Sequence, residues 1–344
     1  MEVIERRHGA GGRLMEEFLR KYLFPELPDD EEGVGIKDAD DSAAIGDTAF
    51  TIDGYTVHPY IFPGGDIGKL AISGTINDLL ALGAIPQALL IGMIIEEGFP
   101  IDDIRRIAKS LGSTARESNV RIKGGDTKVV PKGQVDKIFI TSSGIGYRDP
   151  RLDENFKQVG RNFKWLLDSN IRPGDKIILT GYIGDHGISL ISARGDLNFE
   201  IDVKSDVAPL IDVYNAALEV GGIVSIKDPT RGGLAEALNE WSIKSGYGIE
   251  ISEEAIPIRE SVMSACEFLG LDPLELGNEG KFIIAVHKDY AEDVLQAIRK
   301  TRNGKYAEII GEVTDKHKFV VMKTTIGGKR IVDRPTGDPL PRIC

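Results

Sequence analysis

Cysteine is scarce in this sequence, and long apolar runs are absent. The 344 residues include two cysteines, Cys266 and Cys344, which excludes a disulfide framework and predicts a reducing, cytoplasmic environment. No stretch reaches the roughly 18 apolar residues of a membrane span, and the first residues, MEVIERRHGAGG, lack the apolar core of a signal peptide. We therefore expect no membrane association.

Positive charge is also limited. Basic residues number 42 against 54 acidic ones, which gives a formal net charge of −12. A nucleic acid, whose phosphates attract basic proteins, is therefore not an expected partner. The 5 histidines show no metal-ligand spacing, so a zinc site is not expected either.

Apolar segments separated by glycines indicate two domains that both mix helices and strands. The predicted fold class is α/β, of the α+β type. We expect an N-terminal domain over residues 1–155, a C-terminal domain over 156–330 and a flexible tail over 331–344. The clearest elements are a helix from about Ile67 to Leu82 and a second helix in IDDIRRIAKSLGSTARESN. Strands are predicted in AFTIDGYTV, QALLIGMIIEE, VRIKGGDTKVV, KIFITSSGIGY and KIILTGYIG, and further helices in HGISLISAR, DVAPLIDVYNAALEVG and LAEALNEWSIKSG.

The predicted tail ends in RPTGDPLPRIC, with Cys344 last. A cysteine in an exposed segment is a liability unless its reactivity is used. It is not a prenylation signal, which needs three residues after the cysteine. Pro339 and Pro341 restrict the backbone and favour an extended chain. Cys266 has apolar helical spacing and is predicted to be a core residue.

Aspartates beside glycines form the strongest chemical signal. Hard cations such as Mg²⁺ bind carboxylate oxygens, although any single aspartate of this kind is also typical of a turn or a cap. Asp78 differs because it lies inside an apolar helix, where a carboxylate is costly to bury without a cation or partner. The residues of this set are Asp40, Asp41, Asp53, Asp78, Asp126 and Asp228.

Three glycine-rich loops carry a basic residue. FPGGDIGK contains Gly64, Gly65 and Lys69, and two similar loops are KGGDTK and DPTRGG. Backbone N–H groups at a helix start together with an ammonium group suit a phosphate. None of the three is a Walker A loop, and each alone is also compatible with an ordinary helix start. Together they favour phosphate binding.

Two further residues stand in loops where a base could lie. Glu279 lies between glycines in GNEGK, and His186 follows a strand in IGDHG. A structural turn and a structural histidine remain alternatives for these two positions.

Several motifs together resemble a known family. They are DDSAAI, PGGDIGKLAISGTINDLLALGA, GGDTKVV, IGDHGI, DPTRGGLAEALNE, NEGK and the terminal PRIC. The chain from about Asp40 to Cys344 is similar to the HypE family of hydrogenase maturation factors, in the superfamily of aminoimidazole ribonucleotide synthetase and selenophosphate synthetase. The resemblance implies two α/β domains, with an N-terminal sheet that forms the core of a homodimer and a nucleotide in the cleft between the domains.

The resemblance also implies a reaction. A carbamoyltransferase, HypF, places a carbamoyl group on the terminal cysteine, and ATP-dependent dehydration converts this thiocarbamate to a thiocyanate. The cyano group then passes to iron on the HypC–HypD scaffold and becomes a cyanide ligand of [NiFe] hydrogenase. Oxide is a very poor leaving group and phosphate a good one, so we expect ATP to phosphorylate the carbonyl oxygen first.

The expected roles follow from this chemistry. Cys344 carries the substrate, Glu279 is the first choice for the base and His186 the second, and Lys128 and Lys69 offset charge on the γ-phosphate. The expected Mg²⁺ ligands are Asp53, Asp78, Asp126 and Asp228. The expected nucleotide-binding residues are Asp40, Asp41, Gly64, Gly65, Lys69, Asn77, Asp78, Gly125, Asp126, Thr127, Thr230 and Arg231.

Two alternatives remain at the sequence level. One is another ATP enzyme of the superfamily, such as selenophosphate synthetase or thiamine-phosphate kinase, although the former has a reactive cysteine near its N-terminus and this sequence has none there. The other is a nucleotide-gated scaffold in which Cys344 only tethers a partner or metal.

Overall fold

The computed structural model describes residues 3–9, 11–28, 32–195, 201–337 and 342–344. Within these ranges, none of the helices has the length and apolar character needed to cross a membrane. The helices are α1 Gly12–Phe18, α2 Ile67–Leu82, α3 Ile101–Glu117, α4 Arg151–Gln158, α5 Asp185–Arg194, α6 Ile211–Val220, α7 Gly233–Ser245, α8 Glu260–Leu269 and α9 Ala291–Arg299. The strands are β1 Ala43–Ile45, β2 Thr48–Tyr55, β3 Ile61–Phe62, β4 Gly65–Asp66, β5 Ala84–Glu96, β6 Arg121–Val130, β7 Ile138–Arg148, β8 Lys176–Leu179, β9 Ile223–Lys227, β10 Gly248–Ser252, β11 Ile283–Val286, β12 Glu308–Thr314, β13 Val320–Lys323 and β14 Lys329–Ile331.

The N-terminal half forms a sheet with the strand order β1-β2-β7-β5-β6. The β5–β6 pair is parallel and the other pairs are antiparallel. One face of this sheet packs against α2 and α3, whereas several apolar side chains on the other face are exposed. The sheet therefore has one buried face and one open face.

The central helix, α2, is held at both ends by local sequence. Asp66 accepts hydrogen bonds from the backbone N–H groups of Gly68 and Lys69, and Gly83 ends the helix in the left-handed conformation. Its middle approaches the sheet closely, since a Cβ at Gly74 would lie 2.4 Å from the Tyr55 hydroxyl oxygen. The predicted bounds of α2 are confirmed.

The C-terminal half forms a seven-stranded sheet with the order β14-β13-β10-β12-β8-β11-β9. The strand β9 and the helix α6 of this half pack against α2. Because α2 is enclosed by both halves, 14 of its residues are buried and one apolar core runs from the first sheet into the second half. The loop that follows β9 is thereby brought close to Asp78 in the C-terminal half of α2.

Three predicted bounds do not coincide with the ends of elements in the structure. The helix predicted in DVAPLIDVYNAALEVG begins only at Ile211, because Pro209 disfavours a helical conformation at the residue before it. The tail was predicted to start at residue 331, but β14 extends to Ile331 and Val332 is buried. The predicted domain boundary after residue 155 falls inside α4, and the division into domains stays a prediction.

Candidate active site between the two halves

Two aspartates of the N-terminal half, one on the sheet and one on the central helix, lie close to each other. Asp53 on β2 accepts a hydrogen bond from Tyr55 at 3.0 Å, and Asp78 on α2 accepts one from Thr51 at 2.9 Å. Burial, reinforced by the charges of Asp53 and Asp228, raises the pKa of Asp78 well above its ordinary value. The sheet and the helix therefore bring together carboxylates that repel one another when ionised.

The C-terminal half adds two carboxylates to the same place. Asp228 follows β9, and Glu279 lies in the loop before β11; both side chains are buried. Burial and neighbouring carboxylates raise the pKa of Asp228 and of Glu279 well above their ordinary values. The Oε1 atom of Glu279 has no hydrogen-bond partner among the described residues. A cluster with this donor set suits a hard cation, a cationic ligand or a proton.

The chain end lies in the same cleft. The Thr56 backbone N–H and hydroxyl donate to the Cys344 carbonyl oxygen at 2.9 and 3.1 Å, and the His58 N–H donates to the Arg342 carbonyl oxygen at 3.0 Å. Ile343 is buried, and Arg342 forms an ion pair with Asp136. Residues 342–344 are thus docked along the strand-like segment that follows β2. Pro339 and Pro341 lie outside the described residues.

Arg231 joins the docked cysteine to the carboxylates. Its Nη1 atom lies 3.9 Å from the Cys344 Sγ atom. The negative charge of Cys344 is the largest influence on the pKa of Arg231 and, with Asp53 and Glu279, raises it above its ordinary value in spite of burial. Arg231 is predicted to bind nucleotide, and in the structure its guanidinium group lies beside the Cys344 sulfur atom.

His186 lies at the start of α5 and is completely buried. Its Nε2 atom is 2.8 Å from the Ile343 carbonyl oxygen, and its Nδ1 atom is 2.7 Å from the Ser205 hydroxyl. Both ring nitrogens are therefore engaged while the tail is docked. A role as base stays a prediction for this residue.

Asp40 and Asp41, predicted to bind nucleotide, lie in a charge network that joins the two halves. Lys227 contacts Asp41 at 2.7 Å and Asp168 at 3.2 Å, and the Asp168 backbone N–H donates to Asp40 at 3.2 Å. Burial raises the pKa of Asp41 to about 6, although Lys227 opposes this. Asp40, Asp41 and Asp168 bring oxygens within 4.8 Å of one another, and the ammonium groups of Lys227 and Lys244 offset part of their charge.

Three predicted residues are not brought to the carboxylate cluster. Lys69 lies nine positions before Asp78 on α2, about 13 Å along the axis and on the opposite face, and its Nζ atom contacts the Gly64 carbonyl oxygen. Asp126 and Lys128 lie on the exposed edge strand β6, beside each other at 3.7 Å. Their register partners on β5 are on the open face of the sheet. Strand order, which the sequence does not reveal, separates them from Asp53.

The remaining predicted residues serve as close contacts in this structure. Gly65 lies against Val207 and Gly64 against Ser205, where a Cβ would collide, and a Cβ at Gly125 would overlap the Ile91 carbonyl oxygen. The Asn77 side chain forms hydrogen bonds with the backbone of Ala208 and Leu210. The Thr127 N–H donates to the Asp126 carboxylate, and the Thr230 carbonyl oxygen accepts from the Gly233 N–H.

Sequence reasoning missed the residues that bind the tail and join the halves. Thr56, Ser205 and Lys227 have no motif of their own. Lys227 stands directly before Asp228, and Thr56 stands three residues after Asp53. Their closeness in sequence to a predicted ligand is the signal that could have identified them.

A cleft of about 230 Å³ adjoins this site on the side of the N-terminal segment. Its walls are formed by α1, the loop after β9 and α7. The predicted site residues among its lining are Asp41, Asp228, Thr230 and Arg231.

Two family models match the chain. Residues 39–147 match the AIR synthase related protein, N-terminal domain, and residues 172–323 match the AIR synthase related protein, C-terminal domain. These spans contain nearly all of the two sheets, with β14 outside the second span, so the expected α/β fold class is confirmed.

Curated relatives are similar over nearly the full length. A hydrogenase expression/formation protein of Methanocaldococcus jannaschii is 47% identical, with 99% of each chain covered. The carbamoyl dehydratase HypE of Azotobacter vinelandii is 43% identical, covering 99% of this chain and 97% of the relative.

Solved structures are similar to the same extent. HypE in a HypE–HypF complex superposes with a TM-score of 0.84 at 46% identity, covering 92% of this chain and 99% of that one. Hydrogenase maturation protein HypE in complex with ATP gives a TM-score of 0.80 at 40% identity, covering 99% and 100%. The chain belongs to the HypE family of hydrogenase maturation proteins, within the AIR synthase superfamily.

Proposed function

We propose that the protein is an ATP-dependent carbamoyl dehydratase that acts on the S-carbamoyl group of its own Cys344. The observation that carries this proposal is the docking of residues 342–344 in the carboxylate-lined cleft, with the Cys344 sulfur beside Arg231. The names of the relatives, carbamoyl dehydratase and hydrogenase expression/formation protein, support the activity and its place in hydrogenase maturation.

The reaction has two balanced steps. The carbonyl oxygen of the S-carbamoyl group attacks the γ-phosphorus of ATP, and the bond to ADP breaks. Loss of two protons from nitrogen then expels phosphate and leaves the carbon–nitrogen triple bond of a thiocyanate. Arg231, beside the sulfur, would stabilise charge there, and Glu279, whose charge acts on Arg231, is the proposed proton acceptor.

Glu279 suits a base for a physical reason. Its carboxylate is buried among other acidic groups, so its pKa is raised and its affinity for a proton exceeds that of an ordinary glutamate. Its backbone N–H donates to Asp206 at 3.1 Å, which fixes the loop. General bases in active sites are commonly carboxylates whose proton affinity burial has raised, and Glu279 has that environment.

ATP and Mg²⁺ are the proposed cosubstrate and cofactor. The solved relative in complex with ATP supports the nucleotide. Asp53, Asp78 and Asp228 would hold Mg²⁺, since they offer a buried set of oxygen ligands whose mutual repulsion a cation relieves. When bound, the ion neutralises phosphate charge during transfer.

The adjoining cleft is proposed to receive part of the nucleotide. Its volume of about 230 Å³ is below the roughly 300 Å³ at which small-molecule pockets begin. Gly11 packs against Arg231, so the segment around α1 covers the cleft and must shift when nucleotide enters.

The proposed activity is tested by intact mass. The chain is carbamoylated on Cys344, freed of the transferase and incubated with Mg–ATP. We expect each chain to lose the mass of one water while one ATP is hydrolysed per event. ATP hydrolysis without loss of water, or no change at all, would instead favour the nucleotide-gated scaffold.

A second prediction concerns pH. Because the pKa values of Asp78, Asp228 and Glu279 are raised, their contribution to stability is present below their ordinary values and is lost as pH rises through the raised ones. Mg²⁺ needs the ionised carboxylates, so the increase in thermal midpoint caused by Mg–ATP should be larger at about pH 8 than at about pH 5. Differential scanning fluorimetry measures both midpoints.

Single substitutions identify which carboxylates cause this pH-dependent stabilisation by Mg–ATP. Asp78→Asn should weaken Mg-dependent nucleotide binding by about tenfold or more and flatten its pH dependence, since a charged ligand is lost. Asp153→Asn, at an exposed position of α4, is the matched control and should behave as the unaltered chain. Normal Mg–ATP affinity in Asp78→Asn would remove Asp78 from the site. The same assay on Asp126→Asn decides whether that predicted ligand takes part.

We also propose a homodimer formed through the open face of the N-terminal sheet. Contiguous apolar side chains at a surface mark an interface. Asp126 and Lys128 lie on the same face, so their predicted roles would depend on this assembly. Sedimentation of the unaltered chain and of the Ile52→Glu variant measures the oligomeric state of each. The exposed apolar residues of the face are Phe50, Ile52, Leu90, Ile94 and Ile145.

The proposed partners follow from the reaction. HypF would supply the carbamoyl group, and the HypC–HypD scaffold would accept the cyano group. The solved HypE–HypF complex supports HypF as a binding partner. A cytoplasmic location is proposed because neither cysteine forms a disulfide.

A further inference from the structure

His186 occupies an unusual place for a residue predicted to act as a base. It is fully buried at the start of α5, and Phe62 packs edge-on against its ring at 5.4 Å. It contacts the tail through the backbone of Ile343, one residue away from the reacting cysteine. The imidazole therefore binds the chain that carries the substrate and not the substrate group.

We propose that His186 is a positioning residue, whose Nε2–H holds the Ile343 carbonyl oxygen and thereby fixes the place of the Cys344 sulfur. This inference rests on the proposed function for its catalytic consequence. The docking contact itself is independent of the reaction.

The hydrogen-bond network defines the protonation of the ring. A carbonyl oxygen can only accept, so Nε2 must carry the proton that it donates to Ile343. The Ser205 hydroxyl accepts from the Val207 N–H at 3.1 Å and donates its own proton to Nδ1 at 2.7 Å. Ser205 thus selects the tautomer that binds the tail.

Burial agrees with a neutral ring. It is the largest influence on the pKa of His186 and lowers it, while the charge of Asp206 and the bond to Ile343 oppose this in part. A neutral imidazole whose Nδ1 already accepts a proton from Ser205 has no free lone pair for the substrate. General-base chemistry consequently falls to Glu279.

One loop connects the two functions. Residues 203–210 carry Ser205, which orients His186, and directly beside it Asp206, which accepts the Glu279 N–H at 3.1 Å. Ala208 of the same loop donates its backbone N–H to the Glu279 carbonyl oxygen. The position of the tail and the position of the proposed base are therefore set by adjacent residues.

The test compares two replacements of His186. His186→Gln keeps an N–H donor near the Nε2 position but provides no base, whereas His186→Phe keeps the ring shape and removes both nitrogens. Two readouts are taken: the rate at which iodoacetamide alkylates Cys344, and the single-turnover rate of water loss from the carbamoylated chain. Nucleotide affinity reports whether each variant is folded.

A positioning role predicts that His186→Phe is alkylated about tenfold faster and dehydrated about tenfold more slowly, since a buried carbonyl loses its donor. His186→Gln should stay within about threefold of the unaltered chain in both assays. Ser205→Ala removes the hydroxyl that fixes the tautomer of His186. Cys344 in this variant should therefore be alkylated faster than in the unaltered chain. If His186→Phe does not fold, the alkylation rate of Ser205→Ala tests the proposal in its place.

A base predicts a different pattern. Both His186 variants would lose dehydration equally, with unchanged alkylation of Cys344, and that result would overturn the proposal. If the unaltered carbamoylated chain loses no water, the proposed function fails, but the order of alkylation rates still decides whether His186 holds the tail.

Discussion

Cys344→Ala is expected to form no thiocyanate while it binds Mg–ATP with unchanged affinity. The reaction is carried on the sulfur, so its removal takes away the substrate, while Asp53 and Asp78 keep the hydrogen bonds from Tyr55 and Thr51 that position them. Its neighbour is Arg231 at 3.9 Å. The measurement is intact mass after incubation with the carbamoyl donor and ATP, together with nucleotide titration.

The second cysteine provides the matched control. Cys266 is buried in α8, and burial raises the pKa of its thiol to about 11, so its thiolate is rare at neutral pH. Cys266→Ala should lose about 1 kcal/mol of stability and keep the single-turnover rate. Product formation by Cys344→Ala would contradict the assignment of the substrate cysteine.

Lys227→Met is expected to lower the free energy of unfolding by about 3–5 kcal/mol, because it leaves buried carboxylates without their cation. The Lys227 Nζ atom lies 2.7 Å from Asp41, 3.2 Å from Asp168 and 2.9 Å from Glu240, and its side chain is only 6% exposed. Lys244 still contacts Asp168 at 2.7 Å, which limits the loss. Urea denaturation followed by tryptophan fluorescence measures it, since the Trp241 indole N–H bonds to Asp168.

Lys176→Met is the control for this variant. Lys176 pairs with Glu312 on the C-terminal sheet, but both side chains are more than 30% exposed. Such a pair contributes about 1 kcal/mol or less, so the loss should be small. Equal losses in the two variants would show that the network between the halves carries no special stability. The loss in Lys227→Met should shrink as pH falls towards the pKa of Asp41, since protonation removes the uncompensated charge.

The sequence predicted the parts of this molecule that local chemistry determines. The helix α2 was placed correctly because an apolar period and a terminal glycine are local signals. Asp78 was singled out because a carboxylate within that period needs a partner, and the structure places Thr51 and Asp53 beside it.

Other parts depend on contacts between distant segments. Lys128 is predicted to be a phosphate ligand from its glycine-rich segment, and only the order of strands shows that it lies on an exposed edge strand, where that role stays a prediction. Thr56 binds a residue 288 positions away, and no local pattern announces such a pairing. The tail lacks an apolar period, yet Ile343 is buried because the cleft, and not the tail's own repeat, supplies its apolar surroundings.

The docking of residues 342–344 also has a kinetic consequence. In the proposed function, the transferase needs these residues outside the cleft, whereas the dehydration needs them inside. If docking is favoured by a factor K, the loading enzyme finds only the fraction 1/(1+K) of chains accessible, so a tenfold tighter dock slows loading about tenfold. A looser dock slows the chemistry instead. The contacts that hold residues 342–344, including the Thr56 and His58 bonds, the His186 bond and the Arg342–Asp136 ion pair, therefore set the balance between loading and dehydration. The rate of the whole sequence is greatest when the tail spends comparable time docked and undocked.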